Sequence, residues 1–157
     1  MTNDPISPAA RADAACALFC GGANCAQAVA AAFADLVCVP EAQLLDLAGG
    51  FGGGAGTGEL CGAVSGAVMT LGLLTPVDPA DPVGSKKRTV ELSKEFQKRF
   101  SGIFEAVRCQ ELLKKKFLPD ERTPAARDLE IKGHCTVMIV TAVEIVEAML
   151  AERETQV

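Results

Sequence analysis

The stretch GGFGGGAGTGELCGAVSG, residues 49–66, contains nine of the chain's fifteen glycines. Its first part, GGFGGGAGTG, does not fit a regular helix, because glycine loses more backbone entropy on folding than any other residue. Its second part, CGAVSG, places Gly62 and Gly66 four residues apart, a spacing that lets two helix backbones approach closely. The stretch therefore predicts a glycine-rich loop that leads into a tightly packed helix.

The segment GFGGGA, residues 50–55, also fits the pattern G-x-G-x-x-G/A of dinucleotide-binding loops. That loop follows a β-strand and precedes an acidic residue about 20 positions later, whereas EAQLLDLA before it has a helical pattern. Phosphate loops of the other common kind carry a lysine, and no Lys or Arg lies between Arg11 and Lys86. Nucleotide binding is therefore not expected. The backbone amides of such a loop suit a thiolate or a metal–sulfur cluster better.

Capping signals divide the chain into helices. Asn24, with Gln27 three residues later, is typical of a capping box, and Ser7 before Pro8 is typical of a helix start. The main predicted helices cover residues 8–19, 25–37, 40–48, 59–74, 83–104 and 134–152, with a short one at 109–117. The leucines of the third are expected to face the core: Leu44, Leu45 and Leu47. The pattern predicts an all-α bundle of five to six helices with a Gly-rich loop, in a single domain over residues 1–157.

The chain carries 20 acidic and 15 basic residues, which gives a net charge of −5. A nucleic-acid-binding domain normally has a basic patch, and here the runs KKR (86–88) and KKK (114–116) are short. The first fifteen residues lack the apolar segment of a secretory signal. The longest apolar run, at 60–74, is shorter than the about 20 residues that span a bilayer. We therefore expect a cytoplasmic protein with no membrane span and no nucleic-acid partner.

Four of the seven cysteines lie at or near predicted helix N-termini: Cys25, Cys61, Cys109 and Cys135. A helix N-terminus presents unpaired N–H donors and a partial positive charge, which lower the pKa of a thiol. Four thiolates around one centre repel each other unless a metal ion or an iron–sulfur cluster cancels their charge. Low-pKa thiols at helix ends also suit dithiol–disulfide chemistry.

The residues alone leave a packing role open for every cysteine, since free Cys often behaves as a small buried hydrophobe. We expect that role for the remaining three: Cys16, Cys20 and Cys38. The first two are four residues apart and are expected to share a helix face. No C-x-x-C motif is present, so any site is assembled from distant segments. His134, the only histidine, is expected in solvent at the start of the last helix, with a ligand or proton-relay role as the alternative.

With its surroundings, CGAVSG resembles the C_GCAxxG_C_C family of redox-active proteins. Cys61-Gly62-Ala63 and Gly66 match a C-G-A-x-x-G motif position by position, and GGFGGG precedes it. The other shared cysteines come from GGANCAQAVAAAF (21–33), RCQELL (108–113) and HCTVMIVTAVEI (134–145). The resemblance covers residues 16–150.

That family is similar to the non-haem part of split-Soret cytochromes, which are helical, dimeric and carry an iron–sulfur centre. The resemblance therefore implies a homodimer in which four cysteines bind an iron–sulfur cluster or another metal: Cys25, Cys61, Cys109 and Cys135. The chain lacks a C-x-x-C-H haem-attachment motif, so cytochrome activity is not implied.

Three hypotheses follow. The leading one is a redox-active protein whose four cysteines bind a cluster or metal for electron transfer to a redox partner or for redox sensing, with the glycine loop packed against the site. The second is a metal-free thiol–disulfide redox protein. The third is a structural module that uses the small residues Gly62 and Gly66 to form a helical dimer, with buried cysteines.

Overall fold

The computed structural model describes residues 6–115 and 123–156. Within these ranges every regular element is helical, which confirms the predicted all-α fold. The helices are α1 (Pro8–Cys20), α2 (Cys25–Ala31), α3 (Ala34–Val37), α4 (Glu41–Ala48), α5 (Gly62–Leu73), α6 (Pro82–Phe104), α7 (Cys109–Leu112), α8 (Pro124–Asp128) and α9 (His134–Glu154). Residues 116 and 117 of the predicted helix at 109–117 lie outside the described residues.

The predicted capping box begins α2. The side chain of Asn24 accepts from the Gln27 N–H, and the Gln27 side chain accepts from the Asn24 N–H, both at 2.9 Å. The predicted single helix over 25–37 is wrong, because the chain breaks it into α2 and α3. The carbonyl of Ala32 accepts from Arg11 at 2.7 Å, while the N–H of Leu36 donates to the carbonyl of Phe33 instead.

Two further expectations are corrected. Helix α5 begins at Gly62 rather than Glu59, because the carbonyl of Glu59 accepts from the Cys109 N–H at 2.6 Å and holds this segment extended. Leu47 does not face the core: it is 59% exposed. Helix α4 packs on α2 through the narrow stripe of Leu44 and Ala48, which leaves Leu47 outside the contact.

Helix α9 is the central element of the core. It packs against α1, α2, α5, α6 and α8. Along α6 three fully buried rings form an apolar stripe, Phe96, Phe100 and Phe104, with successive centroids 6.0 and 4.7 Å apart. Helix α9 is long and apolar enough to cross a membrane, but 61% of its most apolar window is buried inside the fold, as in a core helix.

The predicted close approach at Gly62 and Gly66 is confirmed, and the neighbour is α2. A Cβ added at Gly66 would lie 2.6 Å from the carbonyl oxygen of Ala26, and one at Gly62 would lie 2.9 Å from the Cβ of Cys25. Both distances are shorter than any real contact of a Cβ. The two glycines therefore let α5 lie directly on the backbone of α2 within one chain.

A buried arginine ties three helices together, and we call it the Arg11 centre. Arg11 on α1 is only 1% exposed and forms ion pairs with Asp35 on α3 and Glu147 on α9. Its guanidinium carbon lies 4.7 Å from the ring centroid of Phe33. The hydrogen bond from Arg11 lowers the pKa of Asp35. Sequence reasoning missed this residue, although an arginine among the alanines of α1 was its signal.

The glycine-rich loop ends in a wide turn, Gly54–Gly58, closed by the N–H of Glu59, which donates to the carbonyl of Gly54 at 3.1 Å. Gly54 has a φ of 63°, and a Cβ there would also collide with the backbone of Glu59. Only glycine meets both conditions, since the left-handed region is costly for other residues. The prediction that this part is not regular helix is therefore confirmed.

Candidate thiol site

One cavity is lined by all four of the cysteines predicted at helix starts, and we call it the four-cysteine cavity. Cys25 begins α2, Cys61 caps α5, Cys109 begins α7 and Cys135 is the second residue of α9. The rest of the lining consists of Gly53, Gly62, Ala63, Leu112, Leu113 and Met138. Distant segments therefore bring four thiols and mostly apolar atoms to one place.

Two of these cysteines are held by an exchange of backbone hydrogen bonds. The N–H of Cys61 donates to the carbonyl of Val107 at 2.8 Å, and the N–H of Cys109 donates to the carbonyl of Glu59 at 2.6 Å. An isolated bridge pairs the same two segments. Arg108 adds an exposed ion pair with Glu59 at 3.1 Å. This exchange fixes the starts of α5 and α7 side by side.

Cys25 is held by the loop and by α5. The side chain of Asn24 donates to the carbonyl of Gly49 at 3.0 Å, and a Cβ on Gly52 would lie 2.5 Å from the Cβ of Asn24. Gly62 lies directly against the side chain of Cys25. The loop reaches the cavity itself through Gly53. The glycines thus let backbone pack against the start of α2 from two sides.

The cavity is narrow. Its volume is about 10 Å³, which is close to the space that one water molecule needs. Cys61 is only 4% exposed, while the other three thiols are half-buried. Among the described residues, no Lys, Arg, Asp or Glu contributes to the lining. Any negative charge on the thiols is therefore not compensated by a side-chain cation in the cavity wall.

A hydrogen bond links the thiols of Cys25 and Cys135 and shifts their pKa values in opposite directions. A hydrogen bond from the Cys25 thiol stabilises the Cys135 thiolate and lowers the pKa of Cys135 to about 7, against the opposing effect of burial. The same hydrogen bond, together with burial, raises the pKa of Cys25. Of the two, Cys135 is therefore the thiol that ionises more readily, and Cys25 is the hydrogen-bond donor.

Cys61 and Cys109 favour the neutral thiol. Burial raises the pKa of Cys61 to about 11, and the N–H groups of Ala63 and Val64 at the start of α5 oppose that rise. Burial, followed by the charge of Cys135, raises the pKa of Cys109. A helix N-terminus alone therefore does not make these two thiols acidic.

The donor atoms fit a thiolate-bound metal or iron–sulfur centre, since four sulfurs from four segments are the usual ligand set of such groups. Their present spacing does not supply a finished site. Within residues 6–115 and 123–156, no three His, Cys, Asp or Glu side chains are grouped so that they could hold a metal ion. Binding would require the four sulfur atoms to lie closer together than they do here.

His134 is half-buried, so the expectation that it lies in solvent is wrong, and it does not line the four-cysteine cavity. Its Nε2 lies 2.7 Å from the carbonyl oxygen of Leu112 and donates to it. This contact connects the start of α9 to the end of α7, so His134 positions the wall between Cys135 and Cys109. Sequence reasoning also did not identify Met138 as a wall residue, although it lies on α9 close after Cys135.

The other three cysteines lie outside this cavity. Cys16 is partly buried against the core, in accord with the packing role expected for it. For Cys20 and Cys38 that expectation is wrong, because both are exposed. Cys20 is the last residue of α1, and Cys38 directly follows α3 with a φ of 54°. Both cysteines therefore lie at helix ends and not on a helix face that packs against the core.

Comparison with protein families gives one match. The model of the family described as "Putative redox-active protein (C_GCAxxG_C_C)" matches residues 23–149, which include all four cysteines of the cavity. The description writes Gly before Cys in its central motif, whereas this chain has Cys61 before Gly62. No curated protein and no solved structure matches the chain.

Proposed function

This chain belongs to the C_GCAxxG_C_C family of redox-active proteins, and we propose that its four-cysteine cavity binds an iron–sulfur cluster or a metal ion for electron transfer or redox sensing. The observation that carries the proposal is the convergence of four thiols, from the starts of α2, α5, α7 and α9, on one cavity. The four proposed ligands are Cys25, Cys61, Cys109 and Cys135.

The cavity supplies several properties that such a centre needs. Thiolates are the preferred ligands of iron–sulfur clusters and of zinc. When bound, a cluster supplies a one-electron couple whose potential depends on N–H groups near the sulfurs and on burial. The N–H groups of Ala63 and Val64 near Cys61 provide the first influence. Apolar walls from Leu112 and Met138 provide the second.

The ionisation of the thiols also favours a bound cation. The hydrogen bond with Cys135 and burial raise the pKa of Cys25, and burial raises the pKa of Cys61; in both cases repulsion by the charges of other cysteines adds to the rise. A cation at the centre of the cavity would remove that repulsion and release the protons. Thiols that resist ionisation in the free protein would therefore ionise and act as ligands once a cation is bound.

The test is anaerobic purification, followed by the visible spectrum and by measurement of iron, acid-labile sulfide and zinc. We expect metal in the wild-type protein and its loss in each single Cys-to-Ser variant of the four. Cys38→Ser is the matched control, since Cys38 is exposed and outside the cavity, and should retain full metal content. A wild-type protein without metal, even after reconstitution with iron and sulfide, would contradict the proposal.

A second candidate function is thiol–disulfide exchange without metal, and the Cys25–Cys135 contact favours it. In that reaction, the Cys135 thiolate attacks a disulfide substrate, and one substrate thiolate leaves. Cys25 then loses its proton and displaces the second, so that a Cys25–Cys135 disulfide forms and the substrate is reduced to two thiols. The test is treatment of the protein with oxidised glutathione, followed by mass spectrometry. The thiols of Cys25 and Cys135 should disappear together, and unchanged thiols at both positions would exclude thiol–disulfide exchange.

We also propose that the protein is a homodimer and is cytoplasmic. The Gly62 and Gly66 face is covered by α2 of the same chain, so a dimer needs another surface than the one first suggested. Light scattering after size-exclusion chromatography tests the dimer. A purely structural role for the cysteines predicts that their replacement changes stability without changing metal content or thiol oxidation.

A further inference from the structure

Two thiols outside the four-cysteine cavity lie one helical turn apart near the end of α1. They belong to Cys16, which is partly buried, and Cys20, which is exposed. We propose that Cys16 and Cys20 form a second thiol site, which binds one soft, thiophilic metal ion of the Cu(I) class through both sulfurs. This site does not depend on what the four-cysteine cavity holds.

The helix holds the pair in place. Residues four apart share one face of an α-helix, and α1 is capped at both ends. Ser7 caps its start, and the N–H of Gly21 donates to the carbonyl of Ala17 at 2.9 Å at its end. The two thiols interact with each other directly. The pair is therefore formed by the secondary structure before any ligand arrives.

The spacing favours a metal over a disulfide. The Cβ atoms of helix residues four apart are about 5–6 Å apart, whereas a disulfide needs Cβ atoms at about 3.5–4.5 Å. Two metal–sulfur bonds of about 2.3 Å each allow the sulfurs to lie up to about 4.6 Å apart, which is more than twice the S–S bond of about 2.05 Å. A metal can therefore join the pair while α1 stays helical, but a disulfide requires its last turn to unwind.

The donor atoms of the pair decide which cation suits it. Both are cysteine sulfurs, and soft ions prefer sulfur, whereas hard ions need oxygen ligands. The exposed Cys20 leaves the site open to solvent.

The experiment is an anaerobic titration with Cu(I), in competition with the chromophoric chelator bicinchoninate. We compare the wild-type protein with Cys16→Ser, Cys20→Ser, the double variant and Cys38→Ser. The four-cysteine cavity is intact in all of them, so any copper that it binds cancels in the comparison. We expect each single variant to lose one tightly bound Cu(I), and the double variant to lose the same one and no more.

Cys38→Ser is the matched control, because Cys38 is another exposed cysteine outside the cavity, and it should retain the full number of Cu(I) ions. Equal stoichiometry in all five proteins would overturn the proposal, and so would losses that add up in the double variant, since they would mean two independent thiols. If Cys16→Ser does not fold, Cys20→Ser still decides, because its side chain is exposed. Far-UV circular dichroism should show unchanged helix content on binding, whereas a loss of helix would contradict a metal bridge on intact α1.

Discussion

The Arg11 centre and the four-cysteine cavity are both built from ionisable side chains that distant segments bring together, but only one of them is complete. Arg11 meets two carboxylates, a backbone carbonyl and an aromatic ring, so its charge is compensated within the chain. The cavity gathers four thiols and, among the described residues, no lining cation. Buried charges that are left without a partner are costly.

This difference separates a structural centre from a functional one. At the Arg11 centre the attraction between fixed charges depresses the pKa of Asp35 and keeps the ion pair at neutral pH. In the cavity the thiols shift each other's pKa values, and the hydrogen bond from Cys25 favours ionisation of Cys135. Groups that can still accept a cation, or lose electrons, are the ones available for chemistry.

The largest effect is expected from Arg11→Met, which leaves Asp35 and Glu147 without their partner. Removal of one member of a buried ion pair typically costs about 3–5 kcal/mol. Urea denaturation measures the loss in the free energy of unfolding. The control is Arg88→Met, whose ion pair with Asp81 is exposed and is worth at most about 1 kcal/mol. If both substitutions lower the free energy of unfolding equally, the Arg11 centre does not stabilise the fold more than an exposed ion pair does.

The next effect is expected from Gly66→Ala in α5. The new Cβ would lie 2.6 Å from the carbonyl oxygen of Ala26, so α5 must move away from α2, and overpacking of this kind costs about 1–3 kcal/mol.

Gly72→Ala in the same helix is the control, since its nearest neighbour would be the Cγ2 of Thr89 at an ordinary 3.9 Å. Alanine should stabilise that position by up to about 1 kcal/mol. Thermal unfolding of both variants, with metal or thiol assays in parallel, measures how far the packing and the cavity depend on each other. A stable Gly66→Ala protein would contradict the tight contact.

A smaller effect is expected from Cys25→Ala on Cys135 in the reduced, metal-free protein. Alkylation of Cys135 by iodoacetamide should rise with pH through a midpoint of about 7, since only the thiolate reacts. Without the Cys25 donor the midpoint should move up to the ordinary thiol value of about 8.5 or beyond. Below both midpoints the rate should then fall by about 30-fold. A midpoint that does not move in Cys25→Ala would show that the Cys25 hydrogen bond is not what lowers the pKa of Cys135. Cys38→Ser should leave the midpoint unchanged.

The smallest effects concern pH and two carboxyl groups with opposite signs. The folded pKa of Asp35 is lowered below the unfolded value of about 3.9, so its stabilisation is present above that value and is lost as the pH falls. Burial raises the folded pKa of Glu144 above the unfolded value of about 4.3, so its ionisation reduces stability as the pH rises. Asp35→Asn should therefore flatten the acid loss of stability, whereas Glu144→Gln should raise stability at pH 7. Urea midpoints of both variants and of the wild-type protein at pH 4 and pH 7 measure these changes. If both substitutions change the pH dependence of stability in the same direction, the assignment is contradicted.

Local signals in the sequence predicted the helices well, and long-range contacts account for the failures. Asn24 and Gln27 formed the predicted capping box because both partners lie within four residues. The break after α2 was not predicted, because the group that takes the carbonyl of Ala32 is Arg11, on another helix. The late start of α5 likewise depends on Cys109, far along the chain. No local pattern contains such a partner.

The features of the candidate site also divide into those that local sequence signals predict and those that depend on long-range contacts. The placement of Cys25 and Cys135 at helix starts could be predicted from caps and periodicity, while their presence in one cavity was implied only by the family resemblance. The exposure of Cys20 could not be predicted, since it depends on where α1 ends relative to the core. The raised pKa of Cys61 was also missed, because burial outweighs the helix N-terminus there.

Because α5 lies directly on α2, the CGAVSG segment sets the distance between these two helices. Gly62 packs against Cys25, and Gly66 packs against Ala26. Cys61, which lines the cavity, therefore directly precedes the first of the two glycines that set the distance between the helices. Insertion of one residue between positions 62 and 66 would rotate the second glycine by about 100° around α5 and turn a side chain toward α2. The wall of the four-cysteine cavity and the contact of α5 with α2 therefore depend on the same spacing of residues, and a change of length in this segment alters both at once.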